Sequence, residues 1–123
     1  MLYTLVRDMD GVRVVAVLVE VVQFSNYEEV FAKVRSAISD FTNMIVLDLT
    51  MVRFMDSLSL GMLVPLLLYT RRLGGDMVVV ARNEKVVELF SVLRLDRVLR
   101  VFDTVEQATA FLREGGGADV VER

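Results

Sequence analysis

A chain of 123 residues supplies one domain and one hydrophobic core. Apolar residues make up 54% of it and charged residues 25%, a balance that excludes a disordered chain. There is no Cys and no His, which excludes thiol and disulfide chemistry and removes the commonest general base and metal ligand; the net charge of −3 is spread along the chain, and Arg71-Arg72 is the one adjacent basic pair, so no stripe for nucleic acid is present.

Residues 2–7 read as a strand, and Asp10-Gly11 in the turn after it points to a hairpin with a β-branched strand over 12–22. Ser25-Asn26-Tyr27-Glu28 fits a capping box, and Val30, Phe31, Val34, Ala37 and Ile38 follow at helical spacing. Residues 44–49 form a short run, apolar except for Asp48, as in a strand buried on both faces of a parallel sheet. A helix over about 57–73 comes next and is stopped by Gly74-Gly75. Pro65 lies inside it and removes the bond to the carbonyl of Gly61, which predicts a kink between Gly61 and Pro65. Residues 77–81 read as a buried strand, Asn83 caps a helix reaching Leu93, 98–102 form a short strand, and Thr104 to Gln107 is a second capping box opening a helix to about Leu112. The triple glycine from Gly115 begins a polar stretch that reads as a flexible tail, so the domain is expected over 1–114 and the tail over 115–123. Alternation of strand and helix after the first hairpin predicts an α/β fold: a mostly parallel sheet with an N-terminal antiparallel hairpin and about four helices.

The densest apolar run, 62–69, is too short to cross a membrane, and Arg7, Asp8 and Asp10 interrupt any early secretory region; a cytoplasmic address with no membrane partner is expected. No cofactor or metal site is expected either, since the chain has neither a P-loop nor a dinucleotide glycine fingerprint. The sequence most open to chemistry is Asp56-Ser57 at the junction of the 44–49 strand and the following helix. Asp56 or Ser57 there can be a helix cap and nothing more. The same junction lies where parallel α/β sheets place their sites, and a hydroxyl at a helix start is a place where added phosphate changes what the surface attracts. From Leu58 to Tyr69 only Ser59 and Gly61 are not apolar, more than one face of a helix needs, so neighbouring helices or a partner near Leu58 and Met62 must cover the surplus.

These residues carry a resemblance. Val46-Leu47-Asp48-Leu49, then Phe54-Met55-Asp56-Ser57, then Leu60-Gly61, with Gly74-Gly75 and the apolar strand after it, resemble the core of a STAS domain, and more narrowly the bacterial anti-sigma factor antagonists. The resemblance covers about residues 2–112 and implies a single-domain STAS-like fold. It further implies partner switching: the unphosphorylated protein binds an anti-sigma factor that is also a serine kinase, phosphate on Ser57 blocks that binding, and a phosphatase resets it. Transcription is regulated in this way without this chain being an enzyme. The surface implied for the partner comprises Gln23, Asp56, Ser57, Leu58, Ser59, Leu60, Gly61 and Met62. Ser59 is a rival phosphoacceptor, because Leu58-Ser59 stands where the family has Ser-Gly or Ala-Gly. Gln23 stands where the family often has an acidic residue. The alternative reading is a STAS scaffold that is not phosphorylated and assembles with itself or its relatives as a homo-oligomer. Catalysis by Asp56 or Asp48 and nucleotide binding at Gly74-Gly75 are the remaining readings, against which end-of-strand, cap and helix-stop roles suffice.

Overall fold

A computed structural model describes residues 2–115. Its main sheet has five strands: β1 (Thr4–Met9), β2 (Val12–Val17), β4 (Met44–Asp48), β6 (Asp76–Val80) and β7 (Val101–Phe102), in the order β1-β2-β4-β6-β7. β1 and β2 are antiparallel and the other pairings are parallel. A separate pair joins β3 (Val21–Val22) to β5 (Phe54–Met55). The helices are α1 (Tyr27–Ser36), α2 (Ser57–Gly61), α3 (Leu63–Arg72), α4 (Glu84–Val92) and α5 (Val105–Arg113), with a short 3-10 helix at Leu95–Arg97. With α2 and α3 taken as one interrupted run, this is the α/β architecture of four helices around a mostly parallel sheet that the sequence predicts.

The period-two geometry of a strand divides each central strand between two cores. Ile45 and Leu47 of β4, with Met77 and Val79 of β6, pack with residues of α1, α3 and α4 on one face. Val46 and Val78 point the other way, to Val105, Ala108 and Leu112 of α5. Burial on both faces is why these strands read as continuous apolar runs. At the hairpin, Asp10 and Gly11 both have positive φ (53° and 82°), the two-residue turn that a right-twisted hairpin prefers.

Three local expectations need correction. The strand predicted over 12–22 is two strands. β2 ends at Val17, and Val21–Val22 leave the main sheet to pair with Phe54 and Met55. β-branched periodicity reports that a segment is extended, not which neighbour it joins. The capping box at Ser25 does not form. Asn26 is the N-cap of α1, and its side chain closes the preceding loop instead: Oδ1 accepts from Gln23 N–H (2.8 Å) and Nδ2 donates to the Val21 carbonyl (2.8 Å). Residues 98–100 are not strand, since the 3-10 helix occupies the approach to a two-residue β7. The second capping box forms with its return bond shifted by one residue. Thr104 Oγ1 accepts from Gln107 N–H (3.1 Å), while Gln107 Oε1 reaches back to the N–H of Asp103 (3.3 Å). Asn83 caps α4 through the N–H groups of Lys85 and Val86. The tail expected from 115 lies, beyond Gly115, outside the described residues.

Candidate functional site

The site is built on the small β3–β5 ledge. The Glu20 carbonyl accepts from Arg53 N–H (2.7 Å) and Phe54 N–H (3.1 Å), which lays the 53–55 segment beside β3. β5 then runs straight into α2. Asp56, in extended conformation, is the N-cap: its Oδ1 accepts from Ser59 N–H at 2.8 Å. Its second oxygen, Oδ2, accepts from Phe24 N–H at 2.8 Å. One carboxylate therefore caps the helix and ties it to the 23–26 loop, which brings Gln23 and Phe24 to the same end of the molecule as Ser57.

Ser57 is the first residue of α2 and is exposed. Apolar side chains border it. Leu58 and Phe54 are each 49% exposed and Phe24 is 71% exposed, whereas Met55, between Phe54 and Asp56, is buried. Phe54 and Leu58 thus stand in solvent on either side of the polar junction. Phe24 and Phe54 escape the sequence reading. The available signal was a phenylalanine, Phe24, directly before a run of turn residues, where no strand or helix face could claim it.

Two residues expected at the surface are not there. Ser59 is fully buried, with its hydroxyl 3.0 Å from the Val22 carbonyl and 3.1 Å from the Asp56 carbonyl. It is a strut between β3 and α2, out of reach of a visiting kinase, so it does not stand as a rival acceptor in this fold. Leu60 is likewise fully buried, in the core with Leu63. Gly61 and Met62 are half-buried. A side chain in place of the family's glycine at Ser59 is accommodated because the position is helical and its hydroxyl lies within hydrogen-bond reach of two carbonyls, those of Val22 and Asp56.

The helix is interrupted at Met62, within the stretch where Pro65 predicts a kink. The Met62 N–H lies between two carbonyls, Leu58 (3.1 Å) and Ser59 (3.2 Å), the tightening typical of a helix end. Pro65 then falls in the first turn of α3, where its missing N–H costs nothing. Met62 faces a groove of about 370 Å³ between α1 and α3, walled by Tyr27, Phe31, Pro65, Leu66 and Tyr69. Arg35 stacks over Tyr69 at 4.3 Å on its rim.

Asp48 is an end-of-strand residue bonded to the backbone N–H (3.0 Å) and hydroxyl of Thr50, which accounts for it without catalysis. Asp10 sits in the hairpin turn and meets Arg113 at 2.9 Å. Among the described residues, no three acidic, Cys or His side chains gather where they would hold a metal ion, and no helix is long and apolar enough to cross a membrane.

The Asp56 carboxyl titrates below its ordinary value. Burial alone would raise it, but hydrogen bonds from Ser59 and from the backbone N–H of Phe24 favour the ionised form and outweigh that effect. A depressed folded-state pKa gives stabilisation that is present above the unfolded value, about 3.9, and is lost as pH falls through the folded one. Asp56→Ala is expected to cost about 2 kcal/mol at pH 7, the sum of a lost cap and a lost loop tether. The gap from the unsubstituted protein should narrow as the solution is taken below pH ~4. Urea unfolding of both proteins at neutral and acid pH measures this. Some acid sensitivity will persist in the variant, because the hydrogen bond from Arg13 also lowers the Asp8 carboxyl.

A family model described as the STAS domain matches residues 3–108. The chain belongs to the STAS domain family. This STAS domain superposes on a crystal structure from Thermotoga maritima, described as an anti-sigma factor antagonist, with a TM-score of 0.75 and 28% identity, covering 89% of this chain and 94% of that one. A crystal structure of an anti-sigma factor antagonist from Mycobacterium paratuberculosis gives a TM-score of 0.75 at 26% identity, covering 89% and 92%. In sequence, it is 38% identical over 66 residues to a Thermotoga neapolitana protein that carries the name anti-sigma factor antagonist, a match over 54% of this chain and 58% of that protein. A Thermotoga maritima protein of the same description is 38% identical over 71 residues, 58% of this chain and 63% of that protein. The STAS domain thus spans about 60% of the length of the curated relatives it matches.

Proposed function

We propose that this STAS domain is an anti-sigma factor antagonist whose binding to an anti-sigma factor is switched by phosphorylation of Ser57. The observation that carries the reading is the arrangement at the start of α2. An exposed serine hydroxyl follows a carboxylate held at 2.8 Å by two backbone N–H groups, with Phe24, Phe54 and Leu58 exposed around it. The names of the relatives supply the partner class.

The chemistry asks little of this chain. Ser57 Oγ attacks the γ-phosphorus of ATP held by the partner. The bond from that phosphorus to the β–γ bridging oxygen breaks, ADP leaves, and a base on the kinase takes the hydroxyl proton. The product carries about −1.5 to −2 additional charge. Asp56 already occupies the N–H groups of Ser59 and Phe24, so the new dianion finds neither donor free. It adds to an existing negative charge at the rim of an apolar surface. A partner that buries Phe24, Phe54 and Leu58 would have to desolvate both anions, so binding is lost while the fold stays intact. The domain acts as a regulated binding surface and not as an enzyme, with a phosphatase removing the phosphate, in the cytoplasm where sigma factors act.

Incubation with ATP and a purified anti-sigma factor serine kinase, followed by peptide mapping, tests this. One phosphate on the peptide that contains Ser57, and none on Ser57→Ala, is expected. Phosphate elsewhere, or none with an active kinase, refutes the switch. The alternative of a self-assembling STAS scaffold is favoured by a separate observation, the open edge of β1.

A further inference from the structure

β1 lies at the end of the five-stranded order and pairs with β2 alone. Its six residues run in unbroken register from Thr4↔Val17 to Met9↔Val12, with no bulge and no proline. Such a strand lacks most of the devices by which proteins blunt an edge. The opposite edge, β7, is only two residues long. Leu5 is 56% exposed and Val6 40% exposed.

The turn geometry decides which backbone groups face outward. A two-residue turn makes Met9↔Val12 a hydrogen-bonded pair, and antiparallel pairs alternate between bonded and non-bonded. Met9, Arg7 and Leu5 therefore face β2, and the Leu18 N–H to Tyr3 carbonyl bond (2.8 Å) continues the same alternation. Thr4, Val6 and Asp8 present N–H and C=O to the outside. Among the described residues, no hydrogen bond outside the sheet ladder reaches their backbone.

We infer that β1 is a self-pairing edge: a second copy of this chain adds antiparallel across a two-fold axis at Val6, joining two five-stranded sheets into one of ten. Charge and geometry select this register. Outward residues must meet outward residues, which holds for a two-fold axis at any residue from Thr4 to Asp8. An axis at Leu5 or Arg7 forms only two bonded pairs within β1, and at Arg7 it also sets like charges opposite one another. An axis at Asp8 puts two carboxylates opposite one another, which is destabilising. An axis at Thr4 pulls Val6 off the end of its partner strand onto Leu2, outside β1. An axis at Val6 matches Thr4 with Asp8 of the other copy at both ends, hydroxyl against carboxylate. It exchanges six backbone hydrogen bonds, two for each of three bonded pairs. It also sets Leu5 beside the aliphatic stem of the other copy's Arg7. Asp8 arrives already paired, since Arg13 holds it through two bonds of 2.7 and 3.0 Å. The two-fold closes the assembly at two copies and uses up the edge.

The inference is independent of the Ser57 switch, because no residue of β1 belongs to that surface. Light scattering behind size exclusion and sedimentation velocity on the full chain are expected to give twice 13.9 kDa at high concentration. Hydrogen exchange should show protection at the amides of Thr4, Val6 and Asp8 that fades on dilution. Val6→Lys and Val6→Glu each place like charges across the axis and are expected to weaken the dimer at least about tenfold. Mixing the two variants should restore it as a heterodimer, which a merely unfolded variant would not do. A wild-type chain that stays monomeric at the highest attainable concentration overturns the proposal. So does a dimer indifferent to both substitutions, or variants that keep their circular dichroism yet fail to pair when mixed.

Discussion

Gly75→Ala is expected to destabilise the STAS domain by about 3 kcal/mol or more, a large share of the stability of a domain this size. The reason is steric. A Cβ built on Gly75 would lie 1.9 Å from the Asn43 carbonyl oxygen and 2.5 Å from its carbonyl carbon. Both are backbone atoms, so no rotamer change relieves the clash. That carbonyl is not free to move. It accepts from Asp76 N–H at 3.0 Å, where β6 begins its pairing with β4, and the Asn43 side chain donates to the Leu73 carbonyl at 2.8 Å at the end of α3. The substitution strikes the point where α3, β4 and β6 meet. Gly61→Ala is the control: its Cβ would meet nothing within 4 Å and its backbone is helical, so it should be neutral or stabilise by up to about 1 kcal/mol. Urea midpoints for the two variants, read by circular dichroism, check the pair.

Ser57→Asp is expected to weaken binding to the anti-sigma partner about a hundredfold, close to 2.7 kcal/mol, with thermal stability almost unchanged. Ser57→Ala should bind within about threefold of the unsubstituted chain and resist phosphorylation. The contrast follows from position. Ser57 is exposed, and the cap contacts belong to its neighbours Asp56 and Ser59, so the fold does not depend on its hydroxyl. On the proposed switch the interface does depend on it, because a fixed anion next to Asp56 would have to be desolvated against Phe24, Phe54 and Leu58. Titration calorimetry with the purified partner measures both variants. Equal affinity of Ser57→Asp and the unsubstituted protein would contradict the switch while leaving the stability predictions untouched.

The two readings of Asp56-Ser57 weighed from sequence prove to concern different residues. Asp56 is the helix cap, and Ser57 is the exposed group left over. The sequence could not separate them, since either is a good N-cap and the choice turns on where the Phe24 amide lies. Ser59 shows the opposite limit. A small polar residue beside a phosphoacceptor motif reads as a surface hydroxyl, but its exposure depends on β3, a segment thirty-seven residues away whose Val22 carbonyl claims it. Residues 12–22 went astray for a related reason: their local preference for extended backbone is satisfied equally by one long strand and by two strands in different sheets.

What the amino-acid sequence determined by itself is most of what short-range rules carry, the capping box at Ser25 being the exception. The order of the main-sheet strands and the helices, the Asp10-Gly11 turn, the caps at Asn83 and Thr104, the helix stop at Gly74 and the break ahead of Pro65 all follow from φ preferences and from donors and acceptors within a few residues. Tertiary structure alone decided which of two serines meets solvent and which sheet edge stays open. Those outcomes depend on contacts between segments tens of residues apart, where burial is a property of the partner surface and no local pattern encodes it.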